Sequence, residues 1–320
     1  MQTLHGNGSS PSSRAGNQSR LGLHSIRQHG AIQRWPLALL FSLIALAALP
    51  ALAQTQAEAQ YTPPPPPPPA QAPTEAPVPP PAPRTAQEYD QLVSRIALYP
   101  DPLLAQVLTA STYSDQIPEA AEWSNQHANL KGDKLAAAIA EDNLRWDPCV
   151  LALLPFPSVL NMMAQDPAWT QELGNAVLAH RAEVMDAVQR MRKQARKYGY
   201  LQPTPYNTVV ETGGYVEILP VNPAYIYVPV YDPLIVYGPP APGFFMGGAI
   251  RFGPAIVIGA AFHPFGWAHP YFVWGSHMVF FDETPWVRGW GNVGFYVHPY
   301  AHPWMRGPGP RVERHASGRR

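Results

Sequence analysis

The chain has 320 residues, of which 40 are proline, and only 14% of its residues are charged. Its 22 basic residues balance 22 acidic ones, so the net charge gives no support for nucleic acid or another polyanion as a partner. A single cysteine excludes an intrachain disulfide and any metal site built from several cysteines.

Residues 1–53 have the three parts of a secretory signal peptide. Residues 1–34 hold four arginines and no acidic residue, an apolar run follows at 37–49, and a small-x-small sequence ends at Ala53. We expect cleavage between Ala53 and Gln54 and export to the periplasm or cell envelope. No cysteine directly follows the apolar run, so the protein is not expected to be a lipoprotein. The alternative is an uncleaved segment that associates with the membrane, although spanning needs about 20 apolar residues.

Residues 54–84 are predicted to be a disordered, proline-rich linker. Prolines run without a break from 63 to 69. Consecutive prolines favour an extended polyproline II conformation, because each ring fixes φ and removes a backbone donor. We interpret the linker as a stiff spacer between the membrane or wall and the folded part, with a ligand for a proline-recognising groove as the alternative.

Residues 85–200 have helical periodicity and are predicted to be a domain of several helices. Thr85 and Glu88 have the spacing of a capping box at the start of the first helix. An Asp-Pro pair recurs at Asp101, Asp147 and Asp166. Aspartate is favoured as a helix cap, and proline fits the first turn, so we interpret these carboxylates as caps rather than as general acids or bases.

The last helix of this domain is predicted to be the longest, from about residue 167 to residue 198. Its apolar stripe includes His180, which is interpreted as a core histidine. Its end carries five cations that we expect to be solvated and to complement the helix dipole: Arg190, Arg192, Lys193, Arg196 and Lys197. Segments 98–102 and 144–148 lie 46 residues apart and suggest a two-fold internal helical repeat, with chance similarity as the alternative.

Residues 201–240 are predicted to form a small antiparallel β region packed on the helical domain. Strands at 208–211 and 215–219 flank a glycine pair that is typical of a hairpin turn. A further strand is predicted at 224–228, and prolines confine 230–237 to an edge strand or an irregular extension. The predicted fold class is therefore α+β, mainly α.

Several short motifs of these two regions occur together in a known bacterial family. They are ALYPDPLLA at 97–105, DP at 147–148, LPFP at 154–157, PVNP at 220–223 and YVPVYDP at 227–233. Over about residues 88–240 the chain thus resembles the family called domain of unknown function 3300. The resemblance implies a bacterial origin and an exported or envelope setting, and it supplies no activity or catalytic residue.

Residues 241–320 are predicted to be a largely irregular tail rich in glycine, proline, histidine and aromatic residues. Its segment 244–262 has about the length of a membrane span, but Arg251, Pro254 and four glycines disfavour a lipid-exposed helix. A protein that interacts with a membrane through this segment and the aromatic tail is a further alternative.

Histidines of the tail are weak candidates for metal ligands, namely His263, His269, His298 and His302. Pro299 and Pro303 prevent the helix that would place the last two on one face. Loose surface histidines, among them His277, explain the pattern better, and no metal or other cofactor is predicted.

No catalytic arrangement is visible in the sequence. Cys149 stands at a predicted helix start and is expected to be a small buried residue, since no histidine partner can be recognised. A nucleophile elbow, a phosphate loop and a dinucleotide fingerprint are all missing. We therefore expect no enzymatic activity, with a hydrolase of wall polymer that uses an unrecognised motif as the alternative.

Aromatic residues are the candidate binding groups. They are the tyrosines of the β region, Tyr225, Tyr227, Tyr231 and Tyr237, and the tail tryptophans Trp267, Trp274, Trp286, Trp290 and Trp304. The sequence predicts a non-catalytic scaffold or binding module of the cell envelope, whose partner is an envelope protein or a cell-wall component.

Overall fold

The computed structural model describes residues 78–240, 242 and 248–298. The predicted signal peptide, its cleavage between Ala53 and Gln54, and most of the predicted spacer lie outside these residues, as do His302 and Trp304. Among the helices that are described, none combines the length and the apolar character that crossing a membrane requires.

Helices predominate in the first part of the fold and short strands in the second. The helices are α1 (Ala86–Val93), α2 (Asp101–Ser111), α3 (Ile117–Gln126), α4 (Asp133–Glu141), α5 (Pro148–Leu151), α6 (Pro157–Gln165), α7 (Pro167–Ala179), α8 (Arg181–Lys197) and α9 (Pro233–Val236). The strands are β1 (Asn207–Thr212), β2 (Tyr215–Pro220), β3 (Tyr225–Ile226), β4 (Pro229–Tyr231), β5 (Ile250–Phe252), β6 (Ile256–Val257), β7 (Pro270–Val273), β8 (Met278–Phe281) and β9 (Thr284–Pro285). These elements confirm the predicted α+β, mainly α, class.

Local side-chain caps start several of the helices. Thr85 and Glu88 form the predicted capping box, in which each side chain bonds the backbone N–H of the other residue. Asp147 caps α5 by accepting from the N–H of Cys149, and Asp166 caps α7 by accepting from the N–H of Trp169. The two Asp-Pro segments that the 46-residue spacing relates differ in structure, since α2 has 11 residues and α5 has four.

Asp101 is not a helix cap, and that prediction is wrong. Its carboxylate is 3% exposed and lies 2.7 Å from the guanidinium of Arg192, which is fully buried in α8. Asp101 also accepts from the backbone N–H of Ile218 and the indole N–H of Trp274. The prediction that Arg192 is solvated is wrong for the same reason, because the guanidinium donates to three backbone carbonyls, those of Ala97, Tyr99 and Val216.

The single helix predicted from 167 to 198 is wrong, because the chain breaks at His180. There the backbone leaves the helical region, with φ −140° and ψ 48°, and this residue separates α7 from α8. The imidazole is half-buried rather than in the core, and its Nε2 lies 2.8 Å from the carbonyl oxygen of Pro81. Both helices bury one face in the same core, so the apolar periodicity continues across the break and conceals it.

The main hydrophobic core lies between the helices. Helix α1 packs against α8, α2 against α7, and α3 against α6. Residues of the predicted tail complete this core, including Phe262, Phe265, Trp267, Trp274, Phe281 and Trp286. Strands β7, β8 and β9 form a three-stranded antiparallel sheet in this tail, and β7 packs against α2.

The β region forms a second, smaller core against the end of α8. Strands β1 and β2 make the predicted hairpin, whose turn residues Gly213 and Gly214 both have positive φ, as a tight hairpin turn demands. β3 pairs with β6, and β4 pairs with β5. The irregular extension predicted up to residue 237 is partly wrong, because Asp232 caps the short helix α9 and Pro233 opens its first turn.

Candidate functional site

A cleft of about 490 Å³ lies beside the hairpin of β1 and β2. The segment that follows α8, strands β1 and β2, and strands β4 and β5 enclose it. Its apolar walls come from Leu98, Leu201, Val209, Ile218, Ile250 and Phe252. In the described part of the chain, the cleft is lined by no aspartate, glutamate, lysine, arginine or histidine.

Asn207 is the buried polar side chain of this cleft. It is 3% exposed, and among the residues that the structure describes its side-chain Oδ1 has no hydrogen-bond partner. The surrounding loop holds its backbone, since the Asn207 N–H donates to the hydroxyl of Thr204 and its carbonyl accepts from the Thr204 N–H. Sequence reasoning missed Asn207, because nothing local distinguishes a buried asparagine from one in an exposed turn.

A second cleft, of about 310 Å³, lies between the end of α3, the start of α6 and residues 253–257. Its ionisable lining groups are His127 and Lys131. The His127 ring stacks on Trp123 with 3.9 Å between the ring centroids, and a ring nitrogen lies 2.9 Å from the Trp123 carbonyl oxygen. No carboxylate joins these two groups in the cleft as the structure describes it, so it does not assemble an acid and base pair.

A cysteine, a histidine and an aspartate meet inside the core, away from both clefts. The Cys149 thiol donates to Oδ1 of Asp147 over 2.7 Å, and Nε2 of His298 lies 3.9 Å from the same oxygen. Cys149 and His298 are both buried, as the sequence predicted for the cysteine. The sequence gave no signal for the pairing with His298, because the two residues come from opposite ends of the domain.

The protein interior holds both groups in their neutral forms. Burial raises the pKa of the Cys149 thiol well above its ordinary value, and the negative charge of Asp147 raises it further. Burial also lowers the pKa of His298 to about 4, because the imidazolium is poorly solvated there. A neutral thiol and a sealed position do not suit a nucleophile.

Asp147, Cys149 and His298 could hold a metal ion, since their ligand atoms lie within 4.8 Å of one another. However, the buried guanidinium of Arg288 lowers the pKa of both Cys149 and His298, so its positive charge acts on this cluster. The positive charge of Arg288 already balances the negative charge of Asp147, and it would repel a divalent cation. The arrangement fits a polar network inside the core better than a metal centre.

The other candidate histidines that the structure describes are not brought to this cluster. His263 and His269 are exposed, and His277 pairs with Asp186 over 2.9 Å on the surface. His298 is therefore the member of the predicted set that lies among other ligand-type side chains in the described part of the chain.

The candidate tyrosines divide into two pairs. The hydroxyls of Tyr231 and Tyr237 both donate to the carbonyl oxygen of Ser94, over 3.0 and 2.9 Å, and burial raises the pKa of both. They attach the β region to the helices. Tyr225 is exposed, and Tyr227 stacks on Tyr206 with 4.3 Å between the ring centroids, so this second pair lies at the surface.

Within the described residues, the four candidate tryptophans do not form an exposed aromatic surface, in contrast to the prediction. Trp267 and Trp274 are buried, and their indole N–H groups donate to the Ala152 carbonyl and to Asp101. Trp286 is fully buried under the guanidinium of Arg181, and Trp290 is half-buried. The buried tryptophans of the tail pack into the main hydrophobic core together with the helices.

Comparison with known proteins gives a family but no activity. The model of the family described as "Protein of unknown function (DUF3300)" matches residues 85–291. The chain is 36% identical over 186 residues to the "Uncharacterized protein YacH" of Escherichia coli (strain K12). This match covers 48% of the chain and 30% of the relative, so the chain spans less than a third of that relative's length. No solved structure matches the chain.

Proposed function

The chain belongs to the DUF3300 family of proteins of unknown function, and from that premise we propose that it is a non-catalytic binding module of the bacterial cell envelope. Two claims make up this proposal: the protein acts in the cell envelope, and it catalyses no reaction there. Each part has its own support and its own test.

The envelope setting is supported by the sequence of the N-terminal region. Residues 1–53 have the basic region, apolar run and small-x-small site of an export signal, and the proline-rich stretch from 54 to 84 separates this signal from the folded part. A spacer of this kind is useful to a protein that must reach a partner at some distance from a membrane or wall surface.

The binding role is supported by the distribution of polar groups. The cleft beside Asn207 is open, and no charged side chain lines it within the described residues. By contrast, in the set that resembles a catalytic constellation, Cys149 and His298 are buried and the side chain of Asp147 is only 10% exposed. Catalysis needs a nucleophile, base or acid within reach of a substrate, whereas binding needs a shaped, desolvated surface.

Export is tested by expression of the full chain, with a C-terminal epitope, in a Gram-negative host. We expect the protein in the periplasmic fraction, with Gln54 as the first residue of the mature chain. The matched variant Leu43→Arg interrupts the apolar run and is expected to stay in the cytoplasm at full length. Cytoplasmic location of the unchanged chain would overturn the envelope part of the proposal, whereas a full-length chain in the membrane fraction would replace the cleaved form with the anchored one.

The absence of catalysis is tested with purified cell-wall polymer. The full chain is expected to release no soluble fragments, and His298→Gln and the exposed control His263→Gln are expected to give the same result. Release of fragments by the unchanged chain, lost in His298→Gln but not in His263→Gln at equal melting temperatures, would establish the hydrolase alternative.

A further inference from the structure

The cleft beside Asn207 contains an unsatisfied acceptor in an apolar surrounding. More than 90% of buried polar groups in proteins have a hydrogen-bond partner, and a buried group without one costs about 1–3 kcal/mol. Oδ1 of Asn207 has none within the described part of the chain, although the residue is only 3% exposed. Since Asn207 lines an open cleft, a ligand bound there is a candidate partner for this acceptor.

The lining of the cleft selects the charge of that ligand. An ion that leaves water for a site without a counter-charge has a large desolvation penalty. The side chains that line this cleft are mostly aliphatic and aromatic, and the polar ones, which are uncharged, are Tyr200, Gln202, Thr204 and Asn207. An uncharged ligand is therefore favoured over a phosphate, a carboxylate or an amine.

The size of the cleft selects a small molecule. Its volume of about 490 Å³ lies in the range of about 300–1,000 Å³ that is usual for small-molecule sites. Resting on the binding role proposed above, we propose that the cleft binds an uncharged, largely apolar small molecule that donates one hydrogen bond, from a hydroxyl or N–H, to Oδ1 of Asn207.

The backbone that carries the acceptor is held in place before the ligand arrives. Thr204 bonds both the N–H and the carbonyl of Asn207, and the residue pairs with Pro220 across the hairpin. On the opposite wall, strands β4 and β5 are paired with each other and carry Ile250 and Phe252 to the cleft. Groups that are already ordered lose little entropy on binding, which favours affinity for a small ligand.

The proposal is tested with phenylnaphthylamine, a fluorescent probe that is uncharged and carries one N–H donor. Its fluorescence rises when it leaves water for an apolar site, so a titration of the purified full-length chain gives the dissociation constant and stoichiometry. We expect saturable binding of one probe per chain. Anilinonaphthalenesulfonate has the same rings with an added negative charge, and we expect it to bind at least about tenfold more weakly.

Two neighbouring positions of β1 provide a matched pair of variants. Val209 lines the cleft, whereas Val210 is 39% exposed on the other face of the strand. Val209→Trp fills the cleft and is expected to weaken probe binding by at least about tenfold, while Val210→Trp leaves it unchanged. Equal binding by both variants would place the probe elsewhere and overturn the proposed site, as would a wild-type chain without saturable binding.

The hydrogen bond is tested with a pair of competitors and one further variant. Naphthol and methylnaphthalene have nearly the same shape, but only naphthol carries a donor. In the wild-type chain naphthol is expected to displace the probe about five to ten times more effectively, a ratio that corresponds to one net hydrogen bond. In Asn207→Leu this preference is expected to vanish. A preference that persists in Asn207→Leu would overturn the assignment of the acceptor, even if the cleft binds the probe.

The test separates this proposal from the broader one. Fragment release from wall polymer together with cleft binding would overturn the non-catalytic role and leave the ligand site in place. Absence of cleft binding together with periplasmic location and no turnover would overturn the ligand site alone.

Discussion

Replacement of Asp101 by asparagine is expected to destabilise the protein severely. The carboxylate forms an ion pair with Arg192 in which the side chains are 5% and 0% exposed, and the two closest atoms are 2.7 Å apart. Asparagine keeps the shape of the side chain but removes its charge. The guanidinium of Arg192 then stays buried without a counter-charge.

The size of the effect follows from burial rather than from the attraction in the pair. Burial raises the pKa of Asp101 despite the opposing effect of Arg192, so placing the charged pair in the core has a large desolvation cost. When one partner is removed, the other charge still has its desolvation cost but no counter-charge. Such changes destabilise proteins by about 3–5 kcal/mol. The free energy of unfolding of a domain is about 5–15 kcal/mol, so Asp101→Asn is expected to remove a large part of that stability.

Urea unfolding followed by circular dichroism measures this change. With a slope of about 1–3 kcal/mol per molar urea, the midpoint is expected to fall by at least about 1 M. Asp90→Asn is the matched control. Asp90 of α1 lies 2.7 Å from Arg190, which belongs to α8 like Arg192, but the side chains of this pair are 28% and 41% exposed. An exposed pair contributes less than about 1 kcal/mol. Equal midpoints for the two variants would refute the dependence on burial.

Three further outcomes follow from the geometry. The folded state keeps His298 neutral down to its pKa of about 4, whereas the same histidine in the unfolded chain takes up a proton near pH 6.5. The free energy of unfolding is therefore expected to fall by about 3 kcal/mol as the pH decreases through this range. Urea titrations at several pH values measure this loss, which is expected to disappear in His298→Gln. Gly174→Ala would push a methyl group into the carbonyl of Ser111, and thermal unfolding is expected to show a loss of more than about 2 kcal/mol, against about 0.5 kcal/mol or less for Gly291→Ala, where the space is open. The buried Cys149 thiol is expected to resist a disulfide reagent at neutral pH in the native chain and to react completely once guanidinium chloride unfolds it; rapid reaction of the native chain would contradict its sealed position.

Features that depend on residues close together in the chain could be predicted from the sequence. The capping box of Thr85 and Glu88 spans four residues, and the hairpin turn at Gly213 and Gly214 depends on two glycines that tolerate positive φ. The apolar periodicity likewise predicted the helical part and the fold class. These signals are local because the atoms that satisfy each backbone group belong to the same turn.

Features that depend on distant partners could not be predicted in this way. Asp101 has the same Asp-Pro context as Asp147 and Asp166, yet it faces Arg192 instead of its own helix, because α8 places a guanidinium beside it. The same limitation applies to Asn207, which lines a cleft together with residues of the distant strands β4 and β5. A sequence shows which side chains are polar, but whether a polar side chain is buried depends on the other elements that pack against it.

Helix α2 explains why the family match extends beyond the β region. Two polar side chains on its buried faces find their partners in the tail, since Gln106 donates to the carbonyl of Gly266 over 2.6 Å and Asp101 accepts from the indole of Trp274. Trp267 makes a similar bond to Ala152 beside α5. Without residues 248–291, the apolar face of α2 would be exposed to water, and Gln106 and Asp101 would lose these partners. The tail is therefore part of the same cooperative core, which agrees with a family match over residues 85–291 rather than one that ends near residue 240.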